Sequence, residues 1–108
     1  MTELRRIDAD VKVDSKVLAD VAEALEPHAS AMFKNRHGRW MAVVELAHVE
    51  RTEPGPEEDK APAVKVRIVG AEIAADELAA GRLRSLQRDM YERRTSGGTL
   101  FQPDAQTA

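Results

Sequence analysis

At 108 residues with a formal net charge of -3, the chain is long enough for one domain with a modest core and carries no overall positive field to hold nucleic acid or an anionic membrane. The absence of cysteine excludes disulfides, thiolate metal sites and a cysteine nucleophile, and fits a reducing, cytoplasmic setting. Glu3, Arg5, Arg6 and Asp8 stand where a signal peptide needs an apolar run, and no window approaches the ~20 apolar residues of a membrane span, so no membrane partner is expected.

Residues 1–13 read as a polar arm in which Ile7, Val11 and Val13 offer at most a short edge strand. Asp14 or Ser15 is placed to cap a helix, since a short side-chain oxygen satisfies the free amides of a first turn. Val17, Leu18, Val21, Ala24 and Leu25 follow at helical spacing. Pro27 lacks an amide donor and predicts a kink or restart, after which Ala29, Met32 and Phe33 point inward until Asn35 to Gly38 stop the helix.

From Arg39 to Thr52 the pattern becomes a nearly continuous apolar run rich in valine, which favours a strand. Glu53 to Pro62 holds three prolines and an acidic cluster, which oppose ladder pairing and predict an exposed loop. Beyond it Val64, Val66 and Ile68 alternate with Lys65 and Arg67, the period of a strand with one buried and one wet face. The two strands form an antiparallel hairpin most simply, with Lys65 and Arg67 paired across it to Glu45.

Ala74 to Arg94 is the second long helix, acidic at its start (Asp76, Glu77) and basic at its end (Arg93, Arg94), as the helix macrodipole favours. Its inward stripe is Ala79, Leu83, Leu86 and Met90, spaced four, three, four, which also suits pairing with another helix. The predicted architecture is α+β: helix, strand, strand, helix as one domain over residues 1–94, then a flexible tail over 95–108. A two-stranded sheet with open edges is marginal alone, so completion by a homodimer is expected.

Chemistry-bearing patterns are few. His28, His37 and His48 have no metal-ligand spacing, no serine sits in a nucleophile elbow, and no glycine-rich turn cradles phosphate. Glu57-Glu58-Asp59 and Asp76-Glu77 lie in a loop and at a helix start, not in the rigid, partly desolvated setting that a general acid or base requires. A non-enzymatic protein without metal or cofactor is the expectation.

Two candidate interaction sites stand out. Leu100 and Phe101 are an apolar island in a tail of glycine, proline, alanine and small polar residues, and are read as a docking pair preceded by a flexible Ser96-Gly97-Gly98 tether. The competing reading folds the pair back on the core after a glycine cap. The second site is the surface of the last helix, where Arg82, Arg84, Arg88, Arg93 and Arg94 surround Tyr91. Guanidinium groups bridge phosphates and a tyrosine stacks a base, although Asp89 and Glu92 interrupt the patch and a solvated helix face shows the same composition.

Gly97-Gly98-Thr99-Leu100-Phe101 resembles the peptide by which bacterial polymerases and repair proteins bind the replication sliding clamp: glutamine, leucine, serine or aspartate, leucine, phenylalanine. Leu100 and Phe101 match the two anchors and Thr99 approximates the small polar residue, whereas Gly97 and Gly98 depart from the pattern. The wider chain resembles small uncharacterised proteins of actinobacterial phages through its valine-rich strand (Val43 to Val49), the turn Glu50 to Pro54 and the strand Val64 to Ile68. That resemblance implies action inside a bacterial host cell, where a clamp-directed peptide would modulate replication by inhibition or recruitment.

Overall fold

Alternating apolar residues at Val64, Val66 and Ile68 end up in the centre of a sheet. The computed structural model describes residues 8–96, with β1 (Asp10–Val13), α1 (Ala19–Leu25), a 3₁₀ turn (Glu26–His28), α2 (Ala29–Lys34), β2 (Ala42–Thr52), β3 (Ala63–Ile73) and α3 (Glu77–Thr95) in chain order. The class is α+β, and the sheet is three-stranded with order β1-β3-β2. β2 and β3 form the expected antiparallel hairpin, Ala42 opposite Ile73 and Thr52 opposite Ala63. Register shifts leave Val69 of β3 and Val49 of β2 without a partner, two bulges that strengthen the local twist.

The polar N-terminal arm adds the third strand. Val11 and Val13 pair in parallel with Val64 and Val66, closing one edge of β3 that a bare hairpin leaves open. Asp10 N donates to Pro62 O at 2.9 Å and Asp14 N to Val66 O at 2.7 Å, which anchors both ends. This is the short edge strand that Val11 and Val13 offer in the sequence, held in place by the match to the valines of β3.

The first helix starts later than its composition predicts. Asp14 does not cap α1: its carboxylate accepts a hydrogen bond from Arg67 Nε at 2.6 Å, and α1 begins after an extended Leu18 with no side-chain cap. A charge-assisted bond to the central strand outcompetes a local cap. α1 lies along β3, and its Val21 is 5% exposed, the one buried residue among those described. Pro27 breaks the helix as expected, through the 3₁₀ turn. That turn changes the helical phase, so Phe33 points outward at 88% exposure, contrary to the inward position its spacing implies, while Met32 is half-buried.

α3 also starts later, at Glu77 instead of Ala74, because Ala74 N still donates to Met41 O at 2.9 Å beside the hairpin. Asp76 then caps the helix by accepting from Ala79 N at 2.9 Å. The helix runs through Thr95, whose hydroxyl donates to Tyr91 O at 2.8 Å. The larger correction concerns its apolar stripe. Ala79 and Leu83 are half-buried, but Leu86 is 53% and Met90 60% exposed, since the helix leaves the sheet after its first two turns.

Candidate interaction surface

α3 rests against the chain where Gly38 turns it into β2. A Cβ on Gly38 would lie 2.5 Å from the Trp40 ring, so the glycine is what lets the indole fold back over its own turn. Trp40 and Met41 are thereby held beside α3, which presents a different surface on each side of Met41. On one flank Arg84, Arg88 and Tyr91 face Arg39 and Trp40 across an open groove. On the other, Leu83, Leu86 and Met90 face Ala42, Val43 and Val44.

The basic flank gathers part of the arginine set read from the sequence and adds to it. Arg84, Arg88 and Tyr91 come together, and none of Arg39, Arg84 and Arg88 forms an ion pair with a described carboxylate. Arg94 lines the apolar flank, its guanidinium 5.3 Å from the centre of the Tyr91 ring, a cation–π distance. Arg82 and Arg93 line neither groove, so the six residues are spread around the helix and do not form one site. Arg39 and Trp40 escape sequence reading because they sit some forty residues upstream in an apparent strand; the adjoining Gly38 is the only local sign that the chain turns there.

The wet-face cations of β3 have other partners than those expected. Lys65 meets Glu50 at 3.6 Å and Arg67 meets Asp14 at 2.6 Å, while Glu45 lies opposite Gly70. The hairpin register itself, with Glu50 opposite Lys65 and Glu45 opposite Gly70, puts Glu45 out of their reach. The hydrogen bond from Arg67 holds the Asp14 carboxyl below its ordinary 3.8, against the opposing effect of desolvation, with the positive charges of Arg67 and Lys65 assisting.

Thr99, Leu100 and Phe101 lie outside the described residues. Among the described residues no three histidine, aspartate or glutamate side chains converge as a metal site, and no helix is long and apolar enough to cross a membrane. The two grooves on either side of Met41 differ in character: one suits anionic or planar groups, the other apolar side chains. No protein-family model, curated protein or solved structure matches the chain.

Proposed function

We propose that the chain is a non-enzymatic protein-binding module that works by apolar docking, in the phage-type, host-cell setting that the sequence resemblance implies. The exposure of Leu86 and Met90 beside Val43 and Val44 supports this reading, because large apolar side chains clustered on an open groove are favoured only when another surface covers them. Leu100 and Phe101, with Thr99 before them, are the ligand this module offers to a host protein. The sliding clamp is the candidate, and burying each anchor contributes ~1.5–3 kcal/mol before the cost of ordering the peptide.

Titration of purified bacterial sliding clamp with the full chain tests this. Saturable binding that persists between about 0.1 and 0.5 M salt and weakens more than tenfold in Leu100→Ala/Phe101→Ala is expected. Equal affinity of the double variant, or no binding at all, removes the clamp.

The basic flank favours a second reading, a nucleic-acid accessory. Three guanidinium groups without ion-pair partners among the described residues, beside Trp40 and Tyr91, combine phosphate contacts with stacking surfaces, the combination that single strands bind. Binding of an oligonucleotide that falls steeply with salt and is lost in Arg84→Ala/Arg88→Ala would support it.

A further inference from the structure

From the unfinished packing of α3, we infer that the apolar flank is filled by a second copy of this chain, whose α3 lies antiparallel to the first. The inference rests on the protein-binding reading and names the occupant of one surface. Leu86, Met90 and Tyr91 of α3, with Val43 and Val44 of β2, line this flank and stay about half-exposed or more, apolar surface of the kind that one partner's share of a standard interface, roughly 800 Å², covers. With Val21 the one buried residue among those described, the chain has little core of its own to set against that exposure.

The helix is patterned to meet itself. Ala79, Leu83, Leu86 and Met90 repeat at the four-three spacing of a helix seam, centred between Arg84 and Ser85. Reversing one copy about that centre sets Leu83 against Leu86 and Ala79 against Met90. The same register brings Arg82 beside Asp89 of the other copy, twice by symmetry, and Asp76 beside Arg93. A parallel pair would crowd the arginines at 93 and 94 of both copies at one end and the acids at 76 and 77 at the other, with the dipoles aligned unfavourably.

Among the described residues α3 is covered chiefly over its first two turns, and the groove walled by Met41 to Val44 lies beside its more exposed second half, from Leu83 to Arg94. In the antiparallel arrangement the segment from Ala79 to Leu86 of the second copy lies against that half and enters the groove. The contact is isologous and closes at two copies.

Sedimentation of the full chain should give twice its 11.9 kDa mass. Because the chain has no cysteine, a spin label at Thr95→Cys reports direction: about 30 Å between labels for the antiparallel pair, at 1.5 Å rise per residue, against about 10 Å for a parallel one. Arg82→Asp should weaken the dimer at least tenfold, and adding Asp89→Arg should restore it, a rescue that loss of folding cannot imitate. A monomer at all concentrations, labels about 10 Å apart, or failure of the rescue overturns the inference. A monomer that still binds the clamp would leave the protein-binding reading standing, and a dimer indifferent to the clamp would leave the inference standing.

Discussion

β3 and α3 are the two most clearly patterned segments of the chain, and they end in opposite situations. β3 is paired on both edges and half-buried along nearly its whole length, whereas α3 is exposed except at Ala79, Ala80 and Leu83. Both carry an apolar face at the right period. The difference teaches that periodicity specifies which face needs cover, while connectivity decides whether the same chain supplies it. β3 returns on a hairpin and collects β1; α3 follows β3 outward and, among the described residues, meets chiefly the segment around Met41.

Val21 tests the self-sufficient half of the molecule. Val21→Ala should lower unfolding stability by about 2 kcal/mol, since it removes methyl groups from the one buried site among the described residues, and urea unfolding at constant protein concentration measures it. If α3 is completed by a second copy, wild-type unfolding will in addition shift with protein concentration. At the start of α3, Asp76→Ala removes the acceptor of the Ala79 amide and should lower stability by about 1 kcal/mol, with fraying of the helix seen as reduced far-UV ellipticity. An unchanged spectrum would mean that the arm is held by contacts beyond its cap.

The acid dependence belongs to the sheet half and is smaller. Asp14 titrates lower in the folded chain than its ordinary 3.8, so its bond to Arg67 stabilises the fold above that value and is lost as pH falls through the lowered folded one. Asp14→Asn should therefore be less stable than wild type at neutral pH and the gap should close in acid. A gap that stays constant with pH would exclude the ion pair as its source.

Much of the fold is legible in local sequence. The two long strands, the loop they flank, the break at Pro27 and the last helix follow from spacing, proline and valine content, because each depends on residues close along the chain. The candidate surface is less legible. Arg84, Arg88 and Tyr91 can be picked out as one helix face, but their alignment with Arg39 and Trp40 depends on a turn that only Gly38 permits. Asp14 has the composition of a cap and becomes the partner of Arg67, fifty-three residues away, because a strong charged acceptor takes the best donor that folding brings near.

Short-range pattern was thus enough to settle the two long strands, the helical segments, their order and the α+β class, since backbone geometry repeats within a few residues. Three-dimensional packing alone settled where the third strand pairs, the partners of Lys65 and Arg67, and the fate of the stripe on α3. Those outcomes turn on which distant surfaces meet, and an apolar face has the same period whether it is covered or left open.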